Sequence, residues 1–172
     1  MQTNLTTERL QLSPLELDDS AFIFDLLNTE NWIRFIGNRN INSDEDAINY
    51  IQKIRDNPEA DYKIVRLKDE LTPIGVITFI KRHYLDHWDI GFAFLPEYAK
   101  KGYAFEATKA VLEEIKQDKT HEFILATTLK DNINSINLLN KLGLKYTKDI
   151  LIGDDNLMLF STVNLLTTER PF

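Results

Sequence analysis

From Leu95 to Ala107 the chain reads LPEYAKKGYAFEA, directly after the strand-like DIGFAFL. A helix opening near Gly102 leaves its first N–H groups without intrahelical partners, and these groups together with the helix dipole favour an anion. Gly102 removes a Cβ and Ala104 keeps the next approach clear, so a phosphate could come close to the backbone. Lys100 and Lys101 add positive charge. Two readings fit this stretch taken alone: a pyrophosphate site, or a helix start whose glycine serves turn geometry. Other phosphate loops fit poorly, because the chain has neither GxxxxGK[ST] nor GxGxxG.

Composition narrows the chemistry. The 172 residues contain no cysteine, which removes disulfides, thiolate metal sites and a cysteine nucleophile together. His83 and His87 in HYLDH stand four apart, a spacing that suits a metal on a helix, but this segment reads as a hairpin turn. No metal is therefore expected, and His121 is expected to be exposed before a strand. The net charge of -7 and a pI near 5.0 argue against broad binding to nucleic acid or anionic membranes and suit a small or basic partner. MQTNLTTERLQL has neither a basic start nor an apolar run, so no signal peptide is read. No apolar stretch approaches the roughly 20 residues that span a bilayer. A single cytoplasmic domain over residues 1–172 is the expectation.

The elements that must position this loop follow from periodicity. ERLQLSPL alternates as a strand, and Asp18, Asp19 or Ser20 can cap a helix over AFIFDLLN. NWIRFIGNRN breaks the pattern and reads as a loop with exposed aromatics. Ser43 caps a second helix with Asp46 in the capping-box position and Ala47, Tyr50, Ile51 and Ile54 on one face. DYKIVRL, PIGVITFIKR and WDIGFAFL read as strands, and a long helix follows from about Gly102 to Lys116. EFILATTL is a buried strand. Asp131 or Asn132 caps SINLLNKL, which stops at Gly143, and LKYTKDILI and NLMLFSTVNLL close the chain around a GDD turn. The order β-α-α-β-β-β-α-β-α-β-β makes a mixed α/β sheet of about seven strands with about four helices and one parallel crossover. A ligand is expected in the strand–helix–strand unit Asp89 to Leu129, at the carboxyl end of a strand.

DIGFAFLPEYAKKGYAFEA followed by DNINSINLLNKLGL resembles the GNAT superfamily of acetyl-coenzyme A-dependent N-acetyltransferases. The TERLQL opening, the P-x-x-x-x-K-G-Y-A-x-E-A block and N-x-x-S-x-x-x-x-x-K-L-G resemble, within it, the ribosomal-protein N-terminal acetyltransferases and their relatives, over Thr6 to about Leu165. The resemblance implies a GNAT-like fold in which Ala99, Lys100, Lys101, Gly102, Tyr103 and Ala104 wrap the coenzyme pyrophosphate. Ala99 stands where Gln or Arg is common, leaving Lys100 or Lys101 to substitute. It further implies that a bulge in the strand Trp88 to Leu95 splays it from its parallel neighbour. The pantetheine arm then lies against Phe92, Ala93 and Phe94, where a backbone N–H could hold the developing oxyanion.

The acceptor would be a primary amine, of a small molecule or of a peptide or protein N-terminus, and it must lose a proton before attacking the thioester. Asp89 stands where relatives often carry Glu and is the candidate base; one methylene shorter, it favours a relay water. Asn132 and Ser135 match the second motif along the coenzyme, and Ser135 could pass a proton to the sulfur. Leu139 occupies the place of the tyrosine acid of many relatives and cannot donate. Trp32, Arg34, Phe35, Tyr84 and Trp88 are the expected acceptor-pocket residues. Leu139 and Ala99 keep a non-catalytic acyl-coenzyme A-binding module as the alternative. The state could be monomer or homodimer.

Overall fold

The computed structural model describes residues 3–166; the single-domain expectation over 1–172 extends at both ends to residues that lie outside these. One eight-stranded sheet runs in the order β1-β2-β3-β4-β5-β6-β8-β7. Its strands are β1 (Leu5–Thr6), β2 (Leu10–Pro14), β3 (Ala60–Leu67), β4 (Pro73–Ile80), β5 (Asp89–Phe94), β6 (Leu125–Leu129), β7 (Lys145–Ile152) and β8 (Asp155–Ser161). Among the described residues five α-helices accompany them: α1 (Ser20–Leu27), α2 (Glu30–Phe35), α3 (Asp44–Arg55), α4 (Tyr103–Gln117) and α5 (Ile133–Lys141). Among the described residues no helix is long and apolar enough to cross a membrane.

The sheet separates two cores. On one face Val65, Ile77, Phe79 and Ile90 pack with Val111, Leu112 and Ile115 of α4 and Leu139 of α5. On the other, Ile64 and Val76 pack with Ile23 and Leu26 of α1, Trp32 of α2 and Ala47 and Ile51 of α3. Alternation along each strand assigns its residues to opposite faces. On β5, Ile90, Phe92 and Phe94 face the first core and Ala93 the second. Gly75 on β4 leaves room for this arrangement: a Cβ there would lie 2.4 Å from the Phe94 ring.

The first half of the segment NWIRFIGNRN, Asn31 to Phe35, belongs to a helix, α2, and the expected loop begins only at Ile36. Thr29 caps the helix by accepting the Trp32 N–H at 3.3 Å, Glu30 occupies its first turn, and Gly37 follows at φ 116°. At six residues it is too short for periodicity to reveal. Trp32 is only 4% exposed, so this segment's tryptophan is a core residue. The two-residue β1 is likewise beyond a pattern reading. His121 is half-buried, its ring edge-on to Phe79 at 5.1 Å.

Asp19 stands at the cap of α1 but makes no side-chain cap bond there, whereas two other expected caps form. Ser43 Oγ accepts from Asp46 N–H at 3.1 Å, while Asp46 reaches back to the Asn42 N–H at 2.9 Å, one residue before the cap. Asn132 Oδ1 takes the Ser135 N–H at 3.3 Å.

Among the described residues β5 and β6 are the one parallel pair, and they register only at Asp89 with Leu125. Beyond that point the strands separate. The expected bulge is not the cause, since β5 runs in continuous antiparallel register with β4 from Asp89 through Phe94.

Candidate active site

The separation of β5 and β6 opens a cleft of about 520 Å³, within the range of small-molecule sites. Its walls are Phe92, Ala93 and Phe94 of β5, Ala126, Thr127 and Thr128 of β6, the loop entering α4, the start of α5, and α2. Leu95 N–H bonds Ile74 O of β4, and Trp88 O accepts from Leu125 N–H of β6. Antiparallel alternation therefore turns the N–H and C=O of Phe92 and Phe94 toward β6. With β6 gone from pairing distance, these two residues present unladdered strand edge to the cleft. An extended, amide-bearing arm fits such an edge, as an added strand does.

The loop into α4 carries the phosphate features. The first α4 backbone bond runs from Glu106 N–H to Gly102 O at 3.0 Å, so the N–H groups of Tyr103, Ala104 and Phe105 precede the helical ladder. Lys100 sits at φ 60° and Gly102 at φ 82°, both left-handed. The reason for glycine at 102 is thus the backbone angle. A Cβ there would meet Arg9 Nη2 at 3.2 Å, so it is not spare room for a phosphate that the glycine provides. Ala99, Lys100, Gly102, Tyr103 and Ala104 line the cleft, but Lys101 does not. Its ammonium lies over the Tyr98 ring at 5.7 Å and its carbonyl accepts from Arg9. Lys141 of α5, which the sequence pattern did not single out, lines the cleft instead, with Nζ 4.3 Å over Phe105.

Asp89 is 3% exposed and is not itself a cleft wall. Arg82 Nε donates to its Oδ1 at 3.1 Å and Thr127 Oγ1 to its Oδ2 at 3.2 Å. Burial lifts the carboxyl above the ordinary aspartate range, and the Arg82 and Thr127 contacts draw it only partly back. Thr127 does line the cleft, so the buried carboxylate is one hydrogen bond away from a cleft residue. Nothing in the spacing of WDIG signalled Arg82 or Thr127. They reach Asp89 from the β4–β5 turn and from the neighbouring strand.

The remaining expected residues divide. Asn132, Ser135, Trp32 and Phe35 line the cleft, and Leu139 adds an apolar wall at 1% exposure. Arg34 bonds Asp131 at 2.9 Å, tying α2 to the residue before the α5 cap, with its guanidinium 4.7 Å over Phe35. Trp88 is elsewhere, stacked on Phe79 at 4.9 Å and packed against the α4-side core. Tyr84 packs with Leu85, Leu125 and Leu159 and reaches the Arg82–Asp89 pair without lining the cleft. Position along the strand accounts for Trp88: its carbonyl still accepts from Leu125 of β6, so it lies at the paired end, before the cleft opens at Phe92.

Residues 9–145 match the family described as acetyltransferase (GNAT) domain. The N-acetyltransferase YnaD of Bacillus subtilis (strain 168), itself described as uncharacterized, is 30% identical over 142 residues, covering 83% of this chain and 82% of that protein. A GNAT-family acetyltransferase structure from Bacillus anthracis superposes with a TM-score of 0.79 at 25% identity, over 94% of this chain and 98% of its own. The ribosomal-protein-S5-alanine acetyltransferase of Vibrio fischeri shares the fold with a TM-score of 0.79 at 18% identity, over 98% of this chain and 100% of its own. An open strand edge ending at an uncapped helix N-terminus suits a long donor with an anionic end, and the match over most of the chain says which one: this protein belongs to the GNAT acetyltransferase family and is an acetyl-coenzyme A-dependent N-acetyltransferase.

Proposed function

We propose that the cleft binds acetyl-coenzyme A along β5, with the pyrophosphate on the N–H groups of Tyr103, Ala104 and Phe105 and beside Lys100. In this reading it transfers the acetyl group to a primary amine held between the donor and α2. The observation that carries this reading is the loss of β5–β6 pairing after Asp89 and Leu125, immediately beside the start of α4. Donor and acceptor meet in one ternary complex. The amine nitrogen attacks the thioester carbonyl carbon, the C–S bond breaks, and the products are an amide and the free thiol.

The chain's own groups account for both proton movements. Before attack, one ammonium proton passes to Thr127 Oγ1 while the hydroxyl proton of Thr127 moves to Asp89 Oδ2, which frees the lone pair. The second nitrogen proton, lost as the amide forms, balances the one that the departing sulfur takes up. The threonine thus fills the place of a relay water. Ser135 stands on the donor side and passes a proton to the departing sulfur. The Phe92 and Phe94 N–H groups, which face the cleft, are the ones available to a developing oxyanion.

For the acceptor, the acidic chain suits a cationic amine. A peptide or protein α-amino group is the proposed acceptor, in line with the fold likeness to an acetyltransferase of ribosomal protein S5, and a fold likeness to a spermidine N-acetyltransferase chimera makes polyamines the competing class. One cytoplasmic domain, 1–172, completes the proposal, with no nucleic acid or membrane partner. Thiol release, measured with acetyl-coenzyme A and a panel of N-terminal peptides, polyamines and amino acids, tests it. Turnover with peptides above the other amines is expected. Binding without turnover of any amine would leave an acyl-coenzyme A sensor.

A further inference from the structure

Arg9 lies in the turn between β1 and β2, far from the phosphate loop in sequence, and does not line the cleft. Its contacts nevertheless concentrate on that loop. Arg9 Nε donates to Glu106 Oε2 at 2.7 Å, and Arg9 N–H donates to Glu106 Oε1 at 2.9 Å. Thr7 Oγ1 adds a third bond to Glu106 Oε1 at 2.6 Å. Arg9 Nη1 donates to the Lys101 carbonyl at 2.9 Å. The guanidinium carbon stands 4.5 Å over the Tyr103 ring, and Nη2 lies beside Gly102, 3.2 Å from where a Cβ would be. One planar group therefore touches residues 101, 102, 103 and 106.

The loop needs such a hold. Lys100 is a non-glycine residue at φ 60°, a strained conformation that persists only where surrounding contacts fix it. The loop's own bond, Ala99 N–H to Pro96 O at 3.1 Å, lies before the strained residue. The Arg9 bond to the Lys101 carbonyl lies after it. Glu106 anchors the arginine: burial works to raise its carboxyl, but the bonds from Thr7 and Arg9 outweigh this and hold it below the ordinary glutamate range.

We infer that Arg9 is a positioning residue for donor binding, which holds the 99–104 loop from behind in the shape that presents the α4 N–H groups to the pyrophosphate. It acts through the Lys101 carbonyl and does not touch the donor. The inference rests on the reading of this loop as the pyrophosphate site. Its geometry demands arginine, because the two-edged guanidinium serves Glu106 and Lys101 at once and a lysine ammonium serves one of them.

The experiment compares two donors, acetyl-coenzyme A and S-acetylpantetheine, which keeps the thioester and arm but lacks the pyrophosphate and nucleoside. Dissociation constants are measured by calorimetry, and kcat at saturating donor by thiol release. Arg9→Ala is expected to weaken acetyl-coenzyme A at least tenfold, to leave S-acetylpantetheine within twofold, and to keep kcat within threefold. Arg9→Lys, which retains the charge opposite Glu106 and so guards against a folding defect, is expected to show the same donor-selective loss at an unchanged melting temperature. Equal losses for both donors, or none for either in a folded Arg9→Lys, would remove Arg9 from this role while leaving the loop reading intact. A parent enzyme that binds both donors equally would instead overturn the pyrophosphate site and this inference with it.

Discussion

Thr127 Oγ1 donates to Asp89 Oδ2 at 3.2 Å, beside the single point where β5 and β6 still pair. The same divergence that opens the cleft therefore brings a cleft-lining residue, Thr127, into contact with a buried carboxylate. Asp89→Asn is expected to lower kcat by roughly 10²-fold, the scale of a lost general base, with donor affinity retained. Thr127→Val, nearly isosteric, should lower kcat about tenfold if the hydroxyl is the relay. Steady-state kinetics with each variant within twofold of the parent would discard the pair as the proton path.

The pH profile carries a sign that can be checked. The base must be ionised, so kcat/KM falls as pH drops through the Asp89 pKa. Burial raises that pKa, which places the acid limb above the roughly 3.9 of a free aspartate. Arg82 favours the charged form, so Arg82→Leu removes a lowering influence and moves the limb to still higher pH. A limb that stays put in Arg82→Leu would show that another group titrates.

The two loop lysines are not equivalent. Lys100 lines the cleft, whereas the Lys101 ammonium rests 5.7 Å over Tyr98. Lys100→Ala should weaken acetyl-coenzyme A about tenfold, or about 1.4 kcal/mol. Lys101→Ala should stay within about twofold, because its contribution to the loop is a carbonyl that alanine also has. Calorimetry on the two variants decides between them, and the reverse ranking would put the phosphate on the other side of the loop.

Gly102→Ala tests a different property of the same loop. At φ 82° an added Cβ costs about 1–2 kcal/mol in backbone energy and meets Arg9 Nη2 at 3.2 Å. Both a lower melting temperature and a weaker donor affinity, by at least tenfold, are expected together. Loss of affinity at full stability would mean that the glycine serves close approach of the ligand after all.

The element order and the loop at 99–104 were legible in the sequence because long periodic segments and a glycine before a helix are local signals. The apolar stripe Phe105, Val111, Leu112 and Ile115 of α4 is an example: the last three are buried, while Phe105 is half-buried at the cleft. α2 was not legible, since one and a half turns carry no stripe and only the Thr29 cap marks them. Asp89 could be picked by position, but its partners could not. Arg82 lies seven residues away around a turn and Thr127 comes from the next strand, a distance of 38 residues that only the parallel crossover closes. Arg9 was hidden for the same reason, 97 residues from Glu106. Trp88 misled because it stands at the end of β5 that still pairs with β6, before the strands part and the cleft opens.

Ser135 and Leu139 lie one helical turn apart on the α5 face that lines the cleft, and only one of them has a proton to give. Leu139 is 1% exposed and shares the α4-side core, so Leu139→Met, which keeps the volume, should leave kcat within about twofold and cost under about 1.5 kcal/mol of stability. Ser135→Ala removes the hydroxyl and should lower kcat about tenfold with little change in donor affinity. The loss is modest because a thiolate, with a thiol pKa near 8.5, already leaves well without full protonation. Asn132→Ala separates this effect from helix positioning. Its side chain takes the Ser135 N–H at 3.3 Å, and losing that cap should cost about 0.5–2 kcal/mol, read as a lower melting temperature. If Ser135 acts through its hydroxyl, kcat should fall in Ser135→Ala at an unchanged melting temperature, and in Asn132→Ala only alongside a lower one. Full activity in Ser135→Ala would hand protonation of the sulfur to solvent.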